Sequence, residues 1–153
     1  MKIEDLLSEE SVVAVLKGRT KAEVIEELAS LVAHTNPEVD YAALVRALED
    51  RERLNSTALG EGVAIPHGKL MGVRRVIAAF GRSRQGIDFH SLDGKPTHLF
   101  FLLVAPEDSA GQHLKALARI SRLLKDENFR QRLLAAADAK ELFAIIRDED
   151  ARY

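Results

Sequence analysis

The residue in this sequence most suited to chemistry is His67, which follows a proline inside a glycine-rich segment. The segment reads Gly60-Glu61-Gly62-Val63-Ala64-Ile65-Pro66-His67-Gly68-Lys69. Glycine permits positive φ angles or a close approach of the backbone to a ligand, and Pro66 fixes its own φ and favours an extended Ile65. Binding and catalytic groups concentrate on loops held by a rigid scaffold. We therefore predict that residues 60–69 form a loop that presents His67.

Several common site chemistries do not fit this segment. A Walker nucleotide loop needs four residues between its glycines and Ser or Thr after the lysine, but five residues separate Gly62 from Gly68 and Leu70 follows Lys69. The sequence has no Gly-x-Ser-x-Gly nucleophile elbow. No two histidines stand three or four positions apart, so the spacing predicts no metal site. The histidines are His34, His67, His90, His98 and His113.

The chemistry that remains is nucleophilic attack or proton transfer by His67. An imidazole is largely neutral near pH 7, so one ring nitrogen has a lone pair available without special activation. If the incoming group is a phosphoryl group, its negative charge must be stabilised, which backbone amides of glycine-rich turns and arginine side chains do well. Such a transfer depends mostly on positioning and charge, so we expect no cofactor.

Helices and strands alternate around this segment. Apolar runs predict strands at residues 12–16, 73–80 and 98–104, the last of them central in its sheet. Helix caps are predicted at Thr20, which forms a capping box with Glu23, and at Asp40, at Asp108 or Ser109, at Asp126 and at Asp138. The pattern predicts one three-layer α/β domain over residues 1–153, with a sheet of mixed parallel and antiparallel strands flanked by helices.

The composition is typical of a soluble globular protein. The chain has 153 residues, of which 46% are hydrophobic and 30% charged, and its formal net charge is −2. A net charge of −2 produces no electric field that would attract nucleic acid or an anionic membrane. The chain has no cysteine, which excludes disulfides and thiolate sites. It shows neither a signal peptide nor an apolar run long enough to insert into a membrane, so we expect a cytoplasmic protein.

Residues 56–69, from Ser56-Thr57-Ala58-Leu59 through Ile65-Pro66-His67-Gly68-Lys69, resemble the active-site segment of phosphotransferase-system enzyme IIA proteins. The match is to the mannitol/fructose type, and within it to the nitrogen-regulatory (PtsN-like) branch. Segment order and length are similar over nearly the whole chain. The resemblance implies the α/β fold of that IIA type. The family often has Thr-Gly-Ile-Gly where this chain has Thr57-Ala58-Leu59-Gly60, and Ala58 restricts a position that glycine leaves free.

The resemblance also implies a role for individual residues. His67 would be the phosphoacceptor, Arg51 would stabilise the phosphate, and His113 would assist without being phosphorylated. By position alone, Arg53 is as good a candidate as Arg51, and His113 could be a solvated residue in the first turn of a helix. Supporting contacts to the phosphate are expected from Ser56, Thr57, Gly60, Gly62 and Gly68, although the two hydroxyls could instead cap a turn.

Partners follow from the same resemblance. The phosphoryl donor would be an HPr-like phosphocarrier of the NPr type, and the phosphorylation state would regulate partner proteins such as transporters or sensor kinases. A fructose- or mannitol-specific IIA that passes phosphate to a IIB domain, and a module that regulates by docking alone, are the alternatives. An apolar contact surface near the site is expected from Leu59, Val63 and Ile65.

Overall fold

Six strands form one mixed sheet in the computed structural model, which describes residues Met1–Tyr153. In chain order they are β1 (Val12–Val13), β2 (Ala58–Gly60), β3 (Val63–Ala64), β4 (His67–Leu70), β5 (Ile77–Ile87) and β6 (Thr97–Pro106). Their order across the sheet is β1-β5-β6-β3-β2, and β4 also pairs with β6. Strand β6 is antiparallel to β5 and parallel to β3 and β4. The predictions of a mixed sheet and of a central strand at residues 98–104 are confirmed.

Five helices cover the two faces of this sheet: α1 (Lys21–Thr35), α2 (Tyr41–Leu54), α3 (Ala110–Leu124), α4 (Glu127–Ala135) and α5 (Ala139–Asp150). Successive side chains of β6 point to opposite faces, so the strand contributes to two cores. Leu99, Phe101 and Leu103 pack with α3, α4 and α5. Phe100 and Leu102 pack with α1 and α2. A central strand buried on both faces therefore builds the predicted three layers.

Four of the helices begin at a side-chain cap that the sequence predicts. In each, a Thr or Asp oxygen accepts a hydrogen bond from the amide three residues later. These caps are Thr20, Asp40, Asp126 and Asp138. Helix α3 differs, because Ser109 occupies its N-cap position but donates its hydroxyl hydrogen to the Pro106 carbonyl at 3.1 Å. The first-turn amides of α3 therefore have no side-chain cap.

Two strands have bounds that differ from the prediction, and Arg82 is involved in both. Strand β1 ends at Val13, because the Ala14 carbonyl accepts a hydrogen bond from Arg82 Nε at 3.0 Å instead of extending the ladder. Strand β5 begins at Ile77, after a turn at Gly72 with a φ of 89°, and continues to Ile87. This continuation carries Arg82 and Ser83, which are polar but buried, so the apolar pattern does not reveal it.

The prediction of a loop over residues 60–69 is wrong, because most of that segment is strand. A turn with positive φ angles occupies Gly60, Glu61 and Gly62, and β3 follows it directly. Pro66 separates β3 from β4, since it has no amide hydrogen for the ladder. Strand β4 begins at His67, whose partner on β6 is Leu103. The register of a parallel sheet, rather than a loop, therefore holds His67.

No helix of the protein is both long and apolar enough to cross a membrane.

Candidate functional site

His67 is held in one orientation by contacts to both of its ring nitrogens. Nδ1 donates its hydrogen to the Ile65 carbonyl at 2.8 Å, since a carbonyl oxygen can only accept. Nε2 therefore carries the lone pair, and it accepts a hydrogen bond from Arg51 Nε at 3.3 Å. The ring is half-buried, and burial is the main reason that its pKa lies below the ordinary value of 6.5. The side chain is thus a neutral imidazole at pH 7 with a defined nucleophilic atom.

Arg51 lies in the last turn of α2 and is anchored at its far end. Its Nη1 donates to both the backbone carbonyl and the side-chain oxygen of Asn55, each at 3.0 Å. Its Nη2 makes no hydrogen bond within the chain, so donors remain available beside His67. Arg53 instead pairs with Asp50 on the exposed side of α2. Of the two arginines left open by the sequence, the fold brings Arg51 to His67.

His113 faces His67 from the first turn of α3. The two ring centroids are 5.2 Å apart, and the planes are inclined at 48°. His113 is only 6% exposed, and its Nδ1 is buried with no hydrogen-bond partner in the chain. Burial, with smaller contributions from His67 and Lys69, lowers the pKa of His113 to about 4. His113 is therefore neutral at pH 7, and an anion beside it would favour its protonation.

Ser56 and Thr57 do not turn their hydroxyls toward His67. Ser56 Oγ donates to the Phe89 carbonyl at 2.6 Å and accepts from the Ala58 amide, which closes a turn. Thr57 is buried and donates its hydroxyl hydrogen to the carboxylate of Glu52. Both hydroxyl hydrogens are donated within the fold, and a contact with a phosphate at His67 stays a prediction.

The three glycines of the segment have separate roles, and two of them lie far from His67. The Gly62 carbonyl accepts from the Leu99 amide at the start of β6, whereas His67 pairs with Leu103, four residues further along. Four residues of strand span about 13 Å, so the Gly60–Gly62 turn lies well away from the His67 end of β6. Gly68 adjoins His67, but a side chain there would meet Ala47 at 3.3 Å, so this glycine allows α2 to approach β4.

The remaining predictions concern Ala58, the apolar residues near the site and the other histidines. Ala58 lies in β2, paired with Ala64, and its φ is not positive, so the chain tolerates alanine where the family often has glycine. Val63 and Ile65 are 3% exposed and belong to the core, so they cannot form a contact surface. Leu59 is exposed, but it precedes the distant Gly60–Gly62 turn. His34, His90 and His98 form neither a hydrogen bond nor a ring pair with His67. The protein has no cluster of three or more potential metal-ligating side chains.

Asn55 and Glu52 were not among the predicted site residues. Asn55 accepts hydrogen bonds from Arg51, and Glu52 binds Thr57 and Lys21. Asn55 follows Arg51 by four positions, a spacing at which a helical arginine can reach the residue after the helix. Glu52 lies in the charged stretch 49–53, and a run of charged residues is typical of a solvated helix face. The helical periodicity would have predicted that Glu52 is buried. Leu44 and Leu48 are buried, and Glu52 is the next residue at the same four-residue spacing.

Together, the fold and the site define an α/β protein in which a neutral histidine, a fixed arginine and a second histidine meet at the start of a sheet strand. Residues 5–149 match the family model described as phosphoenolpyruvate-dependent sugar phosphotransferase system, EIIA 2. The chain belongs to this family, whose members are components of a phosphotransferase system.

Individual relatives support the same assignment. A nitrogen regulatory protein of Bradyrhizobium diazoefficiens is 42% identical over 146 residues, which cover 95% of each chain. The fructose-specific EIIABC component of Bacillus subtilis is 39% identical over 150 residues, which are 98% of this chain but 24% of that protein. The crystal structure of nitrogen regulatory protein IIA-Ntr from Neisseria meningitidis superimposes with a TM-score of 0.87 at 34% identity, covering 94% of this chain and 98% of the other. This structural match confirms the predicted IIA-type fold.

Proposed function

We propose that this protein accepts a phosphoryl group on Nε2 of His67 from the phosphohistidine of an HPr-like phosphocarrier. One observation carries the proposal: Nδ1 of His67 is tied to the Ile65 carbonyl, while Nε2 keeps a lone pair beside the guanidinium of Arg51. A fixed tautomer and an adjacent cation are what an attack on an anionic phosphoryl group requires.

In the proposed step, Nε2 of His67 attacks phosphorus in line with the bond to the donor nitrogen. The new N–P bond forms as the old one breaks, and the donor imidazole leaves with the bonding electron pair. Arg51 holds the phosphoryl oxygens through its unused donors, which act most strongly on the charge-rich transition state. His113 stays unphosphorylated and donates a ring N–H to the same group. Both N–P bonds are phosphoramidates, so the step is reversible.

The phosphorylated protein would control its partners through the added charge. A phosphoryl group adds close to two negative charges, which alter a contact surface by repulsion, desolvation or new ion pairs. Leu54 and Leu114 are exposed apolar residues, and they stand close in sequence to Arg51 and His113. The proposed branch is nitrogen-regulatory, with an NPr-type donor and with regulated partners such as transporters or sensor kinases. The name of the Bradyrhizobium relative supports this choice.

The proposal includes one functional domain over residues 1–153, working in the cytoplasm. The two buried clusters share β6 as their common layer, so both helix layers depend on the same strand. Limited proteolysis that yields a stable fragment shorter than about three-quarters of the chain would contradict a single cooperative domain.

The direct test is incubation with phosphoenolpyruvate, enzyme I and the HPr-like carrier, followed by intact mass measurement. We expect a mass gain of one phosphoryl group that is lost in acid, and no gain in His67→Ala. Absence of the gain in the wild-type protein, or its persistence in His67→Ala, would contradict the proposal. If the affinity for a partner changes neither on phosphorylation nor in His67→Glu, a module that acts by docking alone is favoured.

A sugar-specific IIA is the second candidate, because the fructose-specific EIIABC component is nearly as similar as the nitrogen regulatory relative. Under this alternative, His67 would pass its phosphoryl group to a IIB domain. Mixing the phosphorylated protein with isolated fructose- and mannitol-type IIB domains and measuring ³²P transfer separates the candidates. Fast transfer to a IIB domain favours the sugar role, and a stable phosphoprotein favours the regulatory one.

A further inference from the structure

Glu52 follows Arg51 directly in α2 and carries a buried carboxylate. Its side chain is 5% exposed, and it forms an ion pair with Lys21 at 2.8 Å. It also accepts from the Thr57 amide at 3.1 Å and from the Thr57 hydroxyl. A buried charge is costly unless it is paired and fully hydrogen-bonded, as it is here. Glu52 therefore joins the start of α1, the end of α2 and the chain that follows α2.

These bonds determine where the segment after α2 lies. Helix α2 ends at Leu54, and β2 begins only at Ala58, so residues 55–57 have no ladder of their own. Thr57 is fastened to Glu52 through two donors, and the Thr57 carbonyl accepts from the Ile65 amide at 3.1 Å. Asn55, which anchors Arg51 Nη1 through two acceptors, stands two residues before Thr57. A shift of Thr57 would move the acceptors that orient Arg51.

The same carboxylate contributes to the electrostatics of His67. The charged and titratable groups that act on the ring are Arg51 and Glu52 from α2, and His113 of α3 lies beside it. Lys69, on the same strand as His67, acts on His113. Burial, which lowers the pKa of His67, is the largest influence, followed by the hydrogen bond to the Ile65 carbonyl, which raises it. Arg51 lowers the pKa, and Glu52, the smallest of the four influences, raises it. Lys21 partly offsets Glu52, since the two form an ion pair. Glu52 is thus placed to influence His67 both through geometry and through charge.

We propose that Glu52 is a positioning residue for the phosphoryl transfer: its buried carboxylate fixes residues 55–57 through Thr57 and thereby holds Arg51 against His67. Glu52 does not touch the phosphoryl group. The inference rests on the proposed phosphoryl acceptance by His67 and extends it to the residue that follows Arg51.

The test uses phosphoramidate as a small donor, so that docking of a carrier protein does not influence the rate. In this reaction the N–P bond of phosphoramidate breaks, ammonia leaves, and a new bond forms from phosphorus to Nε2 of His67. Intact mass measured over time gives a maximal rate and a half-saturating donor concentration. Labelling of the wild-type protein but not of His67→Ala establishes the acceptor before any Glu52 variant is tested.

Glu52→Gln keeps the size of the side chain and removes its charge. Because positional errors near a reacting group are costly, we expect the maximal rate to fall about 10-fold or more, with little change in half-saturating concentration. Glu49→Gln is the matched control, since it makes the same charge change one turn earlier on α2, at a residue with no ion pair. We expect Glu49→Gln to stay within about 2-fold of the wild-type rate.

Thr57 provides two variants that leave the Glu52 carboxylate in place, one isosteric without the hydroxyl and one that keeps the hydroxyl. Thr57→Val removes the hydroxyl that donates to Glu52, and we expect a rate loss of about 5-fold, since a displaced segment misorients Arg51. Thr57→Ser retains a hydroxyl and should restore the rate to within about 2-fold of the wild type.

A second readout separates positioning from simple loss of stability. NMR titration of the His67 ring gives its pKa directly, and Glu52→Gln should move the midpoint to lower pH, because the charge that raises the pKa is gone. Glu49→Gln should leave the midpoint in place. If folded Glu52→Gln and Thr57→Val label at the wild-type rate and Glu52→Gln keeps the wild-type midpoint, Glu52 is only structural and the inference is wrong. If the wild type itself is not labelled, the proposed function fails instead.

Discussion

Two arginines of this protein, Arg82 and Arg51, donate to backbone carbonyls but lie in different regions, Arg82 in the buried interior and Arg51 at the candidate site. Arg82 is 1% exposed and donates to the carbonyls of Ala14, Leu133 and Ala136 at 2.6–3.0 Å. Arg51 is half-exposed, and its Nη1 donates to Asn55. Its Nε donates to His67, and its Nη2 makes no hydrogen bond within the chain. The difference lies in where the unused donor of each guanidinium lies: Nη2 of Arg82 is buried without a hydrogen-bond partner, whereas Arg51 is half-exposed beside His67. Arg82 joins β5 to the end of α4, whereas Arg51 retains donors for an incoming anion.

Replacing Arg82 should have the largest effect, and the effect should be on stability. Arg82→Met leaves several buried carbonyls without a donor, so we expect the free energy of unfolding to fall by about 3–5 kcal/mol. Urea denaturation measures the change. Arg84→Met, two residues further along β5 at an exposed position, should change stability by less than about 0.5 kcal/mol. Similar losses for both variants would show that the Arg82 network contributes little.

Replacing Arg51 should affect the reaction rather than the fold. We expect Arg51→Met to slow phosphoryl acceptance by about 100-fold, because a donor aimed at the transition-state charge is lost. Its free energy of unfolding should change by less than about 1 kcal/mol, since the side chain is half-exposed. Labelling kinetics and urea denaturation on the same samples test both statements. A stability loss as large as that of Arg82→Met would remove the distinction between the two arginines.

Arg51→Lys separates the charge of the Arg51 side chain from its planar arrangement of donors. Lysine keeps the charge but cannot bond to Asn55 and His67 at once through a planar fork. We expect the labelling rate of Arg51→Lys to fall about 10-fold below wild type, between the rates of the wild type and of Arg51→Met. A rate equal to that of the wild type would show that charge alone is sufficient at this position.

His113 should make stability depend on pH. Its pKa is lowered to about 4 in the folded protein, against about 6.5 when unfolded. Folding therefore favours the neutral ring, and its contribution is fully present above pH 6.5 and is lost as the pH falls toward 4. In urea denaturation between pH 7.5 and 4.5, His113→Asn should lose less stability than the wild type. Equal pH dependence in the two proteins would contradict this assignment.

Arg53→Met should have the smallest effect of all. Arg53 is exposed and pairs with Asp50 away from the site, and surface ion pairs contribute roughly 0–1 kcal/mol. We expect the labelling rate to remain within about 2-fold of the wild type. A loss comparable to that of Arg51→Met would show that both arginines reach the phosphoryl group.

Local signals in the sequence were sufficient for much of the fold. Thr20, Asp40, Asp126 and Asp138 cap the helices as predicted, because a cap depends on residues only three positions away. The apolar run at residues 98–104 was long enough to indicate a central strand. The extent of β5 was not predictable, since Arg82 is tolerated there only through carbonyls more than fifty residues away.

The candidate site was predictable in its parts but not in its geometry. The segment around His67 is distinctive, yet its glycines suggested a loop, while the sheet register that holds His67 comes from β6, over thirty residues later. The choice between Arg51 and Arg53 was available from the helix phase, because Arg51 lies three positions after the buried Leu48. The bonds of Glu52 to Lys21 and Thr57 depend on three-dimensional packing, so the charged run around it gave no sign of them.

If His67 accepts a phosphoryl group as proposed, its bond to the Ile65 carbonyl determines which isomer of phosphohistidine can form. With Nδ1 occupied, the phosphoryl group can attach only at the outer nitrogen and must project from the side where Arg51 lies. Every molecule phosphorylated in the proposed reaction would then present its charge in the same place and direction. A partner that distinguishes the two states can therefore recognise a single defined shape, and the backbone of the residue two positions earlier sets that shape.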